Sequence, residues 1–395
     1  MCPEETIMQE DFHYYATYAA ANLAGYTPEE SREIAYSAQF VDLCTESLLE
    51  KLNGPVQAAT TQSQLELADT RTDIPGLQNI TRIWASFHFL PGNLYAQKAK
   101  RGRLYMNKYR LICNPDSDLV IETVELARGK SLQAVGLAMH ALADTWAHRY
   151  FAGTPSFVIN NATGFSEIRN DSGWGIEKKI VFNHNPATSD NLETGSYTST
   201  LYQMEENSIM NLGHGRAGHL PDYSFMRYKF MPAWGDYEMV FKDNPYEYWH
   251  AFCQMVYAMR YLRGERDRFE KKRYEEDSLD NWKKDIMEIL AKRQRLSSDD
   301  WKAFGLKISG HALEDFDIEK YQAEYVEADQ DGRYDTFLGK FFIAALAQKS
   351  MVTNRIFMSG NLTAGFSIDY QRFGFKGIRD YRRLVEARKR GERNG

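Results

Sequence analysis

The helix around His140 carries three side chains that bind metal ions in proteins. His140, Asp144 and His148 occur at i, i+4 and i+8, and at about 100° per residue this spacing puts them along one stripe of a helix. Their neighbours include Leu142 and Trp146, so we expect the stripe to be buried. A buried charge is too costly unless it is paired or metal-bound. The pattern predicts a metal centre, with a polar network that only ties helices together as the alternative.

Further histidines and carboxylates occur elsewhere in the first 222 residues. The candidate ligands outside the stripe are Asp11, His13, Asp42, His88, His214, His219 and Asp222. Some have simpler interpretations, because Asp11 could cap a helix beside a stacked His13 and His88 could be a core histidine. Together they exceed what one tetrahedral ion uses, which favours two or three metal ions. Mixed imidazole and carboxylate ligands favour zinc, with manganese or iron as alternatives.

Two further features bear on the predicted chemistry. Arg216 lies between His214 and His219, and its guanidinium group matches the geometry of a phosphate. We therefore expect Arg216 to contact a phosphate-containing substrate of unknown class, with Asp144 as the second catalytic residue. His311 and Asp315 repeat the HxxxD spacing, but the polar setting indicates the start of a surface helix.

The composition excludes several classes of protein. The chain has 395 residues, a net charge of −6 and 43% hydrophobic residues, so it has enough apolar residues for a core and no basic field for nucleic acid. No apolar run is long enough to span a bilayer. Residues 1–5 lack the features of a signal peptide, and the four cysteines form no CxxC pair. We expect a cytoplasmic protein without stable membrane insertion.

The patterning predicts a mainly α fold. A first helix over residues 10–24 should end at Gly25, and Thr27 with Glu30 predicts a capping box. Residues 153–200 are rich in Gly, Asn, Ser and Thr, which predicts a loop-rich, irregular insertion.

The domain organisation is predicted from a change in composition. We expect a helical metal-binding catalytic body over residues 1–263 and a charged helical C-terminal extension over residues 264–395. The charged residues 265–295 indicate a solvated helical face, and this face is a candidate surface for a protein partner.

The ordered set of histidines and carboxylates resembles the zinc-dependent phospholipase C and P1-type nuclease superfamily. The resemblance covers residues 11–222 and rests on Asp42, His88 and the HxxxD of His140 and Asp144. It implies an all-α hydrolase of phosphate esters with three clustered metals. The DFHYY and GHGxxGHLPD segments also resemble an uncharacterised bacterial family.

The resemblance also implies a role for each candidate ligand. Asp42, His88, His140 and Asp144 would surround one metal ion, and Asp144 would bridge to a second ion bound by His13. The third ion would be held by His148, by His214 or His219, and by Asp222. The superfamily normally begins at a tryptophan whose amine binds metal, and Asp11 would take that place here. The sequence also departs from the superfamily downstream, where His219 precedes Asp222 by three residues rather than four.

Two other functions fit the same residues. One is a nucleotide phosphohydrolase of the HD-domain type, although that type requires an adjacent His-Asp pair and the sequence has none. The other is a helical scaffold in which the histidines form a structural metal site. A structural site is closed by four protein ligands, whereas a catalytic site leaves one position open.

Overall fold

The fold is mainly α-helical, with two small sheets in its described part. The structure is a computed structural model that describes residues 10–70, 74–94, 109–169, 175–185, 188–199, 208, 211–235, 238–361 and 363. The helices are α1 (Thr17–Leu23), α2 (Pro28–Phe40), α3 (Glu46–Lys51), α4 (Gln64–Thr70), α5 (Ile74–Phe87), α6 (Asp118–Ala127), α7 (Leu132–Ala147), α8 (Phe157–Asn160), α9 (Asn244–Leu262), α10 (Glu276–Ala291), α11 (Ser298–Ser309), α12 (Gln322–Glu327) and α13 (Phe337–Met358). In the described part of the chain, no helix is both long and apolar enough to cross a bilayer.

The first two helices follow the local signals in the sequence. A π-helical turn (Asp11–Ala16) continues into α1, and Gly25 ends the helix with a φ of +92° that favours glycine. The Thr27 side chain accepts a hydrogen bond from the amide of Glu30, whose carboxylate accepts one from the amide of Thr27. This confirms the predicted capping box at the start of α2.

Helix α7 packs against α2 at backbone distance. The contact occurs at Gly136, where an added Cβ would lie 2.4 Å from the carbonyl oxygen of Ile34 and 2.5 Å from the Cβ of Ser37. Only glycine permits this approach without a shift of one helix. The contact brings the carbonyl groups of α2 next to the histidine stripe of α7.

One apolar core contains side chains from both sides of residue 263. It joins Ile34 and Leu142 with Trp301 of α11 and Phe341 of α13. Helix α10 buries one face on this core and leaves its charged side chains in solvent. The C-terminal helices therefore share a core with the predicted catalytic body.

The predicted loop-rich insertion over residues 153–200 contains four strands, and two further strands follow it. The strands are β1 (Ala162–Arg169), β2 (Ile176–Lys179), β3 (Val181–Asn183), β4 (Ser196–Thr198), β5 (Arg227–Pro232) and β6 (Val240–Asp243). Strands β2, β1, β5 and β6 form an antiparallel sheet in that order, and β3 pairs with β4 in parallel. The alternation of β1 is interrupted where the register shifts between Thr163 and Ser166, around a Gly164 with φ of +66°. Such a bulge hides a strand from a period-two pattern.

Candidate metal centre

Helix α7 presents the predicted stripe to the interior. His140, Asp144 and His148 are all almost fully buried, and His148 directly follows the last residue of the helix. Close packing at Gly136 sets the depth of this helix, so the His140 Nδ1 lies 2.9 Å from the carbonyl oxygen of Ala38 in α2. A carbonyl oxygen only accepts hydrogen bonds, so Nδ1 carries the proton and Nε2 faces the centre.

Backbone carbonyl groups orient four of the histidines in the same way. The pairs are His88 Nε2 with Thr60 at 3.0 Å, His140 Nδ1 with Ala38 at 2.9 Å, His148 Nδ1 with His88 at 2.7 Å and His214 Nδ1 with Gly218 at 2.9 Å. In each ring the second nitrogen is then an acceptor with a free lone pair when the ring is neutral. Histidines that bind metals have this arrangement, in which one nitrogen donates to a carbonyl and the other binds the ion.

Five side chains form the first ligand group, and Asp144 is at its centre. The group combines two trios of ligands that share His140, namely His13, Asp42 and His140, and His88, His140 and Asp144. Asp144 Oδ1 lies 3.1 Å from His13 Nε2, and Asp144 Oδ2 lies 3.1 Å from His88 Nδ1 and 3.2 Å from His140 Nε2. Asp42 Oδ1 is 3.7 Å from the same His88 nitrogen and 3.8 Å from the same His140 nitrogen. Ligand atoms this close together can share one metal ion.

The second ligand group consists of His148, His214 and Asp222. Asp222 Oδ1 lies 3.5 Å from His148 Nε2 and 3.7 Å from His214 Nε2. Asp144 Oδ2 is also 3.5 Å from His148 Nδ1, so Asp144 lies between the two groups. Among the described residues the second group has three ligands, one fewer than a closed tetrahedral site requires.

A cavity of about 20 Å³ lies between the two groups. Its polar wall is formed by His13, Asp144, His148 and Asp222, and its apolar wall includes Phe12. This volume is enough for one water molecule or ion, which needs roughly 10–15 Å³. The cavity therefore places one small species in reach of ligands from both groups.

The electrostatics favour a cation beside Asp144. Burial raises the pKa of Asp144, but the imidazoles of His148, His140 and His13 outweigh burial and hold it well below its usual range. Burial lowers the pKa of His148, yet the carboxylates of Asp144 and Asp222 reverse this effect and raise it to about 9. Asp144 is therefore ionised, and His148 retains a proton. A metal ion that binds His148 would replace this proton.

The first group also fits a metal through the position of His13. His13 lies in the π-helical turn and stacks on His140 with 3.9 Å between the ring centroids. Its Nδ1 is buried and has no hydrogen-bond partner among the described residues, while its Nε2 points to Asp144. Single π-helical turns often occur at functional sites, and the position of His13 beside Asp144 fits a metal ligand.

The comparisons with known proteins identify a family but no activity. The chain matches the profile of a protein family of unknown function, DUF6765, over residues 8–356. The chain belongs to this family. No curated protein matches it, and no solved structure does. The matched range includes both ligand groups and most of α13, so the DUF6765 profile covers the centre and its supporting helices.

Asp11 does not belong to either ligand group, contrary to the prediction. Its Oδ2 accepts hydrogen bonds from the backbone amide of Ser297 at 2.5 Å and the Ser297 hydroxyl at 2.9 Å, and its Oδ1 accepts one from the Ser298 hydroxyl. Both oxygens are therefore occupied at the start of α11. The carboxylate lies at the start of a remote helix, where negative charge is stabilising, whereas the simpler sequence interpretation had Asp11 capping its own helix.

His219 lies outside the ligand groups of the DUF6765 chain for a similar reason. Its Nδ1 is 3.1 Å from Asp190 Oδ2, and the Tyr223 hydroxyl donates to the same oxygen at 2.8 Å. The structure thus selects His214 rather than His219 for the second group. Arg216 is half-buried on the turn between them and does not line the cavity, so its contact with phosphate stays a prediction.

Three supporting features were missed by sequence reasoning. Asp190 pairs with His219 from the insertion, where its Ser and Asn neighbours indicate only a turn. The carbonyl groups that orient the histidines carry no sequence signal at all. Lys242 is buried and donates to the carbonyl oxygen of Trp146 at 2.8 Å while it pairs with Glu247. The lysine inside strand β6 is the one sequence signal that could have indicated these contacts of Lys242.

The repeated HxxxD spacing at His311 does not form part of the centre. Helix α11 ends at Ser309, Gly310 adopts a φ of +72°, and His311 is exposed. The segment is therefore a helix end, whereas the sequence predicted a helix start. Its exposure still agrees with the prediction that it is a surface feature.

Proposed function

We propose that this protein is a metal-dependent hydrolase that cleaves phosphate esters with two metal ions. The observation that carries the proposal is the cavity between the two ligand groups, which Asp144 faces together with His13, His148 and Asp222. Zinc is the first choice because the ligands are imidazole nitrogens and carboxylate oxygens.

The residues of each group would hold one ion. His88, His140, Asp42 and Asp144 would hold the first with His13, and His148, His214 and Asp222 would hold the second. When bound, the two ions would lower the pKa of a water molecule between them and stabilise the charge that develops on phosphoryl oxygens.

The chain itself would hold and orient this water. Asp144 Oδ1 and Oδ2 contact both sides of the first group and Asp144 also lines the cavity, so its ionised carboxylate would accept a hydrogen bond from a water there. Phe12 and Tyr248 form the opposite wall and pack edge to face with 4.8 Å between ring centroids. The Tyr248 hydroxyl donates to the carbonyl oxygen of Pro221 at 3.0 Å, so this wall excludes bulk water and directs no donor into the cavity.

The choice of phosphate ester rests on the resemblance to the phospholipase C and P1-type nuclease superfamily. Paired metal ions also occur in aminopeptidases, so the reaction class needs a direct test. The strongest competitor is a scaffold with structural metal, which the three ligands of the second group disfavour because a structural site is normally closed.

The first experiment measures metal content and hydrolysis together. Untagged protein would be analysed for zinc, manganese and iron, and assayed with bis(p-nitrophenyl) phosphate, p-nitrophenyl phosphate and an aminoacyl p-nitroanilide. The variants are His140→Asn with Asp144→Asn, and His214→Asn alone, with circular dichroism to verify folding. His311→Asn is the matched control, because it removes an exposed histidine from the same HxxxD spacing.

We expect two equivalents of metal and cleavage of a phosphate ester. The metal content should fall in both site variants and stay the same in His311→Asn. Metal that is present without hydrolysis, and whose removal unfolds the protein, would support the scaffold. A folded protein that binds no metal under any loading condition would refute the proposal.

A further inference from the structure

A second cavity lies beside the first turns of α7. It is a groove of about 300 Å³ between α6, α7 and α13. Its floor is apolar and includes Leu126, Ala134, Leu137 and Ala344. Ile343 also lines it and is 48% exposed. Grooves of this size and lining are typical of sites for small molecules.

The groove has a polar end and an apolar end. Lys130 and Lys340 both line the groove. Lys340 lies near enough to Glu33 to act on its pKa, and the Glu33 carboxylate accepts a hydrogen bond from Gln133, three residues after Lys130. Both lysines therefore lie near the start of α7, at one end of the groove. The other end is closed by Gln348, eight residues and about 12 Å along α13 from Lys340.

The two lysines place positive charge at this end of the groove. Neither Lys130 nor Lys340 forms a salt bridge with the described residues, and both are exposed. Glu33 lies near enough for Lys340 to act on its pKa, but the Glu33 carboxylate accepts its hydrogen bond from Gln133 at 3.2 Å. The open end of the groove is therefore complementary to an anion, and its body to an apolar chain.

We propose that this groove binds a medium-chain fatty acid as its carboxylate. The acyl chain would lie on the floor between α7 and α13, and the carboxylate would contact Lys130 and Lys340 at the open end. A longer polar molecule does not fit, because between the lysines and Gln348 the floor offers few polar groups. The site requires no metal and is independent of the hydrolase proposal.

The test is calorimetric titration of the whole protein with decanoate below its micelle concentration. We expect saturable binding at one site that weakens about threefold to fourfold for each methylene removed, in the series decanoate, octanoate and hexanoate. Decylammonium, which has the same chain and the opposite charge, should bind at least tenfold more weakly.

Variants then locate the site. Lys130→Gln with Lys340→Gln should weaken decanoate binding at least fivefold, while the control Lys51→Gln with Lys284→Gln removes two exposed lysines elsewhere and should leave it unchanged. Ala344→Phe should fill the groove and abolish binding, with thermal unfolding to verify its fold.

Three results would overturn the proposal. Equal binding of decanoate and decylammonium would show that charge has no role. Decanoate binding that is lost in His140→Asn and kept in the lysine variant would assign the carboxylate to the metal centre. Absence of binding, with a dimer that Ile343→Asp dissociates, would show that a second copy of the chain covers the groove.

Discussion

Replacement of Gly136 by alanine tests whether helix packing sets the geometry of the metal centre. The new Cβ would lie 2.4 Å from the carbonyl oxygen of Ile34, whereas a carbon atom and a carbonyl oxygen in contact are about 3.3–3.6 Å apart. Helices α2 and α7 must therefore separate by roughly 1 Å. Backbone atoms on both sides form this contact, so no flexible side chain can absorb the shift.

The separation reaches His140, which lies one turn further along α7. Its hydrogen bond to Ala38 is 2.9 Å long and would lengthen to about 3.9 Å, which is no longer a hydrogen bond. Loss of a contact that orients a metal-bound histidine lowers metal affinity by about 10–100-fold. Overpacking costs about 1–3 kcal/mol, and the better helix propensity of alanine offsets about 1 kcal/mol of it.

The assay is zinc affinity by competition with a chromophoric chelator, combined with denaturant unfolding of the metal-free protein. Gly305→Ala is the matched control, because it is also inside a helix and its new Cβ would meet only the Tyr18 ring at 3.2 Å. We expect Gly136→Ala to lose zinc affinity and Gly305→Ala to keep it. If Gly136→Ala is destabilised but binds zinc as tightly as the parent protein, packing at this glycine does not position His140.

Three further predictions concern the surroundings of the centre. In metal-free protein the raised His148 pKa of about 9, against 6.5 when unfolded, stabilises the fold fully below pH 6.5. As pH rises towards 9 this contribution of about 3 kcal/mol is lost, and His148→Asn should flatten the dependence measured by urea unfolding at each pH. Asp11→Ala should lower the free energy of unfolding by about 1–3 kcal/mol through loss of its bonds to Ser297 and Ser298, with metal content unchanged; a loss of metal would restore Asp11 as a ligand. Lys242→Met leaves the buried Glu247 without its closest cation and should cost about 3 kcal/mol in denaturant unfolding, and a cost near zero would contradict this role.

The helical part of the fold was predictable because its signals are local. The i, i+4, i+8 spacing of the α7 stripe and the capping box at Thr27 each depend on a few consecutive residues. The sheet was not predictable, since its strands are short and the longest, β1, is interrupted by a bulge at Gly164.

The candidate site was predictable in residue type but not in partners. His88 and Asp222 lie with partners that the sequence predicted, whereas His13, which the resemblance placed at a separate ion, lies with Asp42 and His140. Imidazoles and carboxylates in apolar segments need a reason for burial. Asp11 has the same composition signal, and its partners lie 286 and 287 residues away along the chain. No local pattern distinguishes a carboxylate that caps a remote helix from one that binds an ion.

The bond from Asp11 to Ser297 and Ser298 also determines the order in which the centre is completed during synthesis. The turn that carries His13 is synthesised early. The hydrogen-bond partners of Asp11 in this turn, Ser297 and Ser298, are synthesised almost three hundred residues later. At about 5–20 residues per second that delay lasts on the order of tens of seconds. We expect ribosome-bound chains that end before Ser297 to expose the His13 turn to protease, and chains that extend well beyond α11 to protect it. Equal protection at both lengths would show that the turn is fixed without α11.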